Sequence, residues 1–240
     1  MKKTDINKKI CISLPPRNIK QALYLIKKAE ELADIVELRA DFMRNIGKDG
    51  LKQILIRKKK KMIFSLKTRN ISGKSLVNQK KHFELFKFAI ERNCEYIDVD
   101  LSMPNKHLSE LLKNKNDTKI IISFHDFEKT PQISALNKLY LKIKKLNPDL
   151  VKIVTYANHL SDNWIPLELL RAKKDIISFC SGDKGVLSRI IAPYLGSCLT
   201  YVSLDERLKT APGQITFSDF SFFNDMVFSS AFNFLEEFRK

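Results

Sequence analysis

Eight short apolar runs, their starts roughly 25 to 30 residues apart, set the possibilities for this chain. They occupy residues 10–14, 35–38, 62–66, 96–99, 119–124, 150–154, 176–180 and 198–202. Each has the length of a strand. Stretches of helical periodicity lie between them. Residues 18–32 put Ile19, Ala22, Leu23, Ile26 and Ala29 on one face, and residues 75–92 do the same with Phe83, Phe86, Ala89 and Ile90. Residues 136–146, 164–172, 186–195 and 218–238 read similarly. Strict strand–helix alternation implies parallel pairing with right-handed crossovers. About eight such units in 240 residues close most economically as an α/β (βα)8 TIM barrel, a single domain over residues 1–240. A doubly wound open sheet is the alternative, but no G-x-G-x-x-G follows the first run, and no linker rich in Gly, Ser or Pro divides the chain.

The sixth run, D-L-V-K-I-V-T, carries Lys152 among Leu150, Val151, Ile153 and Val154. A lysine inside a buried strand either extends its head to water or serves a chemical purpose. Burial disfavours the ammonium form, and a neutral amine is the nucleophile of Schiff-base catalysis. In a barrel the strand C-terminal ends form the active face. The polar residues found there are Ser13, Glu37 and Arg39, Thr68 and Arg69, Asp98 and Asp100, His125 and Asp126, Lys152, the S-G-D-K-G stretch with Arg189 behind it, and T-A-P-G-Q at 210–214. His125 sits on the strand next to Lys152, close enough to shuttle protons for an imine. Glu37 and Arg39 share a face by strand alternation, either as an ion pair or as a fork for substrate hydroxyls. Arg189 could clamp a carboxylate, and Gln214 follows a Pro-Gly turn that brings backbone close to a ligand. Asp98 and Asp100 read as structural. The mouth thus has few carboxylates and no metal-ligand set.

Composition narrows the function further. The net charge of +16 could signal nucleic acid, but the lysines are spread along the whole chain on helical stretches, where solvated faces carry charge. A mild attraction for anionic metabolites follows from the same charge, and no nucleic-acid partner is expected. No run approaches the ~18 apolar residues of a membrane span. The polar, basic start and the short apolar run ending at Pro15 do not read as a secretory signal. Cys11, Cys94, Cys180 and Cys198 form no C-x-x-C pair, which suggests small buried thiols in a reducing cytoplasm.

The chain resembles the type I 3-dehydroquinate dehydratases over nearly its whole length. The resemblance is carried by E-L-R at 37–39, S-F-H-D-F-E-K-T-P at 123–131, V-K-I at 151–153, G-V-L-S-R at 185–189 and A-P-G-Q at 211–214. It implies a (βα)8 barrel that dehydrates 3-dehydroquinate to 3-dehydroshikimate, the third step of the shikimate pathway, with no metal or organic cofactor. By motif match Lys152 forms the imine, and His125 removes the proton next to it and assists departure of water. Arg189, Thr210 and Gln214 hold the carboxylate end. Ser13, Glu37, Leu38 through its backbone, Arg39 and Arg69 recognise hydroxyls. Relatives are often dimers, so a homodimer is expected. Two features depart from the pattern: Thr210 stands where relatives often carry serine, and Asn70-Ile71-Ser72-Gly73 lacks a glutamate common in relatives. A class I aldolase is the rival reading, and a basic nucleic-acid-binding protein a more distant one.

Overall fold

The computed structural model of the protein describes residues 9–67 and 79–237. Its strands are β1 (Ile10–Leu14), β2 (Ile35–Arg39), β3 (Lys61–Ser65), β4 (Tyr96–Asp100), β5 (Lys119–His125), β6 (Leu150–Tyr156), β7 (Ile176–Ser181) and β8 (Thr200–Ser203). The helices that follow them are α1 (Ile19–Glu30), α2 (Lys48–Arg57), α3 (Gln79–Glu91), α4 (Asn105–Lys113), α5 (Ile133–Lys144), α6 (Trp164–Ala172), α7 (Val186–Ile191) and α8 (Phe217–Glu237). All strand pairs are parallel, in the order β7-β6-β5-β4-β3-β2-β1-β8. This is the (βα)8 barrel. Its seam lies between β7 and β8, where Cys198 N donates to Ile176 O at 2.9 Å and the rings of Phe179 and Tyr201 meet.

The apolar strand residues divide between two cores. One face of each strand packs under the helices, where Ala22, Ile26 and Ala29 of α1, Leu51 and Ile54 of α2 and Phe86 and Ala89 of α3 are buried. The other face fills the barrel, and there the polar residues of the site replace apolar ones towards the strand C-terminal ends.

Most elements lie where the apolar pattern puts them, and the differences have physical reasons. The predicted strand 198–202 begins at Thr200, where its pairing with Ile10 of β1 starts. The predicted helix 186–195 ends at Ile191. Pro193 has no N–H to give to the carbonyl of Arg189, and Thr200 Oγ1 takes that oxygen instead at 2.9 Å. Helices α2 and α4, ten and nine residues long, have no counterpart among the helical stretches read from the sequence. The first residues of the predicted helix 75–92 lie outside the described residues.

Candidate active site

The strand C-terminal ends surround a cavity of about 310 Å³. Lys152 lies in the middle of β6, 4% exposed, with its amine facing this cavity. It pairs in register with Ser123 of β5, which places His125 on the same face, one pleat nearer the mouth. Lysine and histidine therefore open into one space, as the sequence suggests.

The amine does not stand alone. Lys152 Nζ donates to Asp98 Oδ2 at 2.9 Å, lies 3.8 Å from Glu37 Oε1 and sits 3.7 Å over the ring of Tyr201. A second lysine, Lys67, donates to Asp98 Oδ1 at 2.8 Å and to Ser123 Oγ at 3.1 Å. This corrects one expectation. Asp98 is no bystander but a fully buried carboxylate bridging two ammonium groups. Asp100, treated with it in the sequence, instead caps Ser102 N at 2.9 Å. Lys67 also had a signal: it continues the inward alternation of Ile63 and Ser65.

Burial and neighbouring charge set the proton states. Burial would raise the carboxyl of Asp98, but Lys152, then Lys67 and His125, outweigh it and hold it well below the usual carboxylate range. His125 is shifted well below the ordinary histidine value, first by burial and then by the cations of Lys67 and Lys152. Its ring is neutral at pH 7 and stacks on Phe127. Lys67 is lowered by burial, an effect that Asp98 opposes and Lys152 reinforces. Burial also pushes the thiol of Cys11 and the phenol of Tyr201 up, so both stay protonated beneath the site.

A second polar group faces the cavity from the β7–β8 side. Arg189, 2% exposed, lies over the ring of Phe179 with its Nη2 3.4 Å from Pro212 O. Its Nε has no partner, and it forms no ion pair among the described residues. Burial lowers it to about 10, still far above neutrality. A buried guanidinium without a protein carboxylate is a site prepared for an anion. Beside it, Gln214 Oε1 accepts from Thr210 N at 2.6 Å and Thr210 Oγ1 at 3.0 Å, which leaves its amide donors for a ligand. Thr210 Oγ1 lies 3.2 Å from Ser13 Oγ, and Ser13 donates to Glu37 Oε2. The other oxygen of Glu37 has no hydrogen-bond partner. The loop geometry rests on two glycines. Gly213 has φ +67°, and a Cβ there would come within 2.0 Å of Gly182 O. Gly182 has φ +87° and donates its N–H to Pro212 O at 3.1 Å.

Of the candidate residues, Ser13, Glu37, Arg39, His125, Lys152, Arg189, Thr210 and Gln214 line the cavity together. Arg39 is not paired with Glu37. Its Nε and Nη2 donate to both oxygens of Asp41, which holds it charged against its burial. The side chain of Leu38 is fully buried on the opposite face of β2 and does not reach the cavity. Arg69 lies outside the described residues. Among the described residues, no three His, Cys, Asp or Glu side chains converge as metal ligands, and no helix is long and apolar enough to cross a membrane.

Residues 10–226 match the model of the type I 3-dehydroquinase family. The chain belongs to the type I 3-dehydroquinase family. The activity follows: dehydration of 3-dehydroquinate, a step of the shikimate pathway, which sets aside the aldolase and nucleic-acid readings. The 3-dehydroquinate dehydratase of Methanococcus vannielii is 35% identical, across 86% of this chain and 94% of the relative. That of Coxiella burnetii is 31% identical, across 87% of this chain and 89% of the relative. A structure of type I 3-dehydroquinate dehydratase from Clostridium difficile with covalent modified comenic acid superposes with a TM-score of 0.81 at 26% identity, covering 93% of both chains. The 3-dehydroquinase motifs noted above fall on the cavity wall just described, at His125, Lys152, Arg189 and Gln214.

Proposed function

We propose that the cavity performs the dehydration through an imine on Lys152. The supporting observation is the lysine amine opening into one cavity with a neutral histidine on the next strand. Lys152 Nζ, as free amine, attacks the ring ketone, and the carbinolamine loses water to give a protonated imine. That group withdraws electrons from the adjacent carbon, whose proton passes to His125. The resulting enamine pushes out the tertiary hydroxyl, which leaves as water with the proton from His125. Hydrolysis of the imine releases product and restores the amine. Schiff-base chemistry is typical of the family.

Arg189, Gln214 and Thr210 hold the substrate carboxylate at the far side of the cavity. The unpartnered oxygen of Glu37 accepts from a ring hydroxyl, and Ser13 and Arg39 complete that contact. Leu38 contributes its backbone and Arg69 a cation. Residues 1–240 act as one catalytic unit working in the cytoplasm, as a homodimer. The reaction uses neither metal nor organic cofactor, and no nucleic acid is engaged.

Lys67 makes the nucleophile a question with two answers, since both lysines reach Asp98 and line the cavity. The test is borohydride reduction in the presence of 3-dehydroquinate, followed by peptide mass spectrometry. The adduct is expected on Lys152 and absent from the Lys152→Ala variant. An adduct on Lys67, or on any other lysine of that variant, refutes the assignment.

A further inference from the structure

We propose that Lys67 is the standing counter-ion of Asp98, a positioning residue that lets Lys152 lose and regain its charge during turnover. The proposal rests on the imine chemistry assigned above to Lys152. Its basis is geometric. Asp98 is wholly buried, and each of its oxygens serves a different ammonium: Oδ1 takes Lys67 at 2.8 Å, and Oδ2 takes Lys152 at 2.9 Å. Ser123 Oγ fixes Lys67 from the other side at 3.1 Å.

The imine cycle changes the charge on only one of these two nitrogens. Lys152 must give up a proton before its lone pair can form the C–N bond. Loss of water then leaves a protonated imine with one positive charge. When the adjacent carbon passes its proton to His125, the C–H pair becomes the C=C bond and the iminium pair returns to nitrogen. The enamine nitrogen is neutral. If Lys152 were the only cation on Asp98, each neutral stage would strand a carboxylate in the protein interior, which is costly. Lys67 takes no part in the bond changes, so it compensates Asp98 throughout. By sharing the carboxylate it also loosens the hold of Asp98 on the Lys152 ammonium.

The other groups facing the cluster do not supply this balance. Cys11 of β1 and Tyr201 of β8 are protonated and neutral. Arg39 of β2 is committed to Asp41, and His125 of β5 is uncharged. Glu37 of β2 adds a second negative charge, 3.8 Å from Lys152. Two carboxylates thus face two ammonium groups, and Lys67 is the one that takes no part in the bond changes.

The test follows imine trapping by borohydride with 3-dehydroquinate on the full chain, measured against pH, with the adduct located by mass spectrometry. In Lys67→Met the adduct stays on Lys152, but the midpoint of its formation rate moves up by about one pH unit, and turnover at pH 7 falls about tenfold. Lys67→Arg keeps the charge and restores the wild-type midpoint. Asp98→Asn moves the midpoint the other way, because Lys67 then only repels the Lys152 ammonium. If Lys67→Met fails to fold, Lys67→Gln carries the same expectation while keeping a donor for Ser123. A Lys67→Met profile that superimposes on wild type overturns the proposal. So does a Lys67→Arg profile displaced as far as that of Lys67→Met, which would show that shape rather than charge matters. Wild-type protein that yields no adduct on any lysine refutes the imine reading itself. An adduct on Lys152 with an unmoved Lys67→Met profile refutes only the role of Lys67.

Discussion

Arg189 shows how a single side chain can be read as waiting for a ligand. Its guanidinium is buried against Phe179, carries an unpartnered Nε and touches no carboxylate among the described residues. Keeping such a charge desolvated is costly unless a bound anion completes it. Charge-assisted hydrogen bonds contribute roughly 1.5–3 kcal/mol each, so Arg189→Ala should raise KM by about ten- to a hundredfold. Steady-state kinetics with 3-dehydroquinate checks this, and an unchanged KM would remove Arg189 from the carboxylate. His125 carries a different expectation. Burial and two cations keep it neutral well below the ordinary histidine value, so the base is ready throughout the neutral range. In a single turnover begun from the preformed imine, where Lys152 no longer has to lose a proton, the acid limb of product formation should therefore fall well below pH ~6.5. A limb at or above the ordinary histidine value would show that the proton acceptor is another group.

At the scale of the elements, the same turn recurs at the barrel floor. Asn93, Asn116, Asn147 and Asp175 each follow a helix and precede a strand, and all have φ between 49° and 57°. This left-handed conformation normally selects glycine, with Asn and Asp the tolerated alternatives. A chain with 7 glycines and abundant Asn takes the alternative. Asn147→Ala should accordingly cost about 1 kcal/mol and Asn147→Gly close to nothing, read as shifts in thermal midpoint. The catalytic face has less tolerance. A Cβ at Gly213 would collide with the Gly182 carbonyl, so Gly213→Ala should displace Gln214 and cost activity more than stability. The floor and walls of the barrel were legible because they rest on period: alternating apolar runs placed every strand to within about two residues. The motif residues Lys152, His125, Arg189 and Gln214 were legible because each lies within, ends or follows a recognisable strand. Lys67 and Asp98 were not, for a shared reason. Their importance lies in a contact between β4 and the end of β3, 31 residues apart in the chain, and a lysine or aspartate by itself says nothing about its partner. Asp98 was further masked by Asp100, which alternation puts on the same face but which only caps a turn.

For the molecule as a whole, these buried groups make stability depend on pH in a definite direction. Stability rises with pH wherever the unfolded chain binds more protons than the native one. His125 and His82 are both depressed in the folded protein, in each case with burial as the first cause. The unfolded chain therefore protonates them first, and stability is lost as the pH falls through about 6.5 towards their folded values. Asp98 acts in the same sense at lower pH. Its carboxyl is depressed by Lys152 and Lys67 against its burial, so its contribution is present above the unfolded value near 3.9 and declines below it. Urea unfolding should thus show stability falling in two stages on acidification, the first with a slope of at most about 1.4 kcal/mol per pH unit for each histidine. His125→Gln removes one of those protons. It should flatten the first stage and leave the second in place, separating the cost of keeping a neutral base in the barrel from the cost of holding a carboxylate between two lysines. A first stage as steep in His125→Gln as in the wild type would place the linked proton elsewhere and return the histidine ring to an ordinary solvated state.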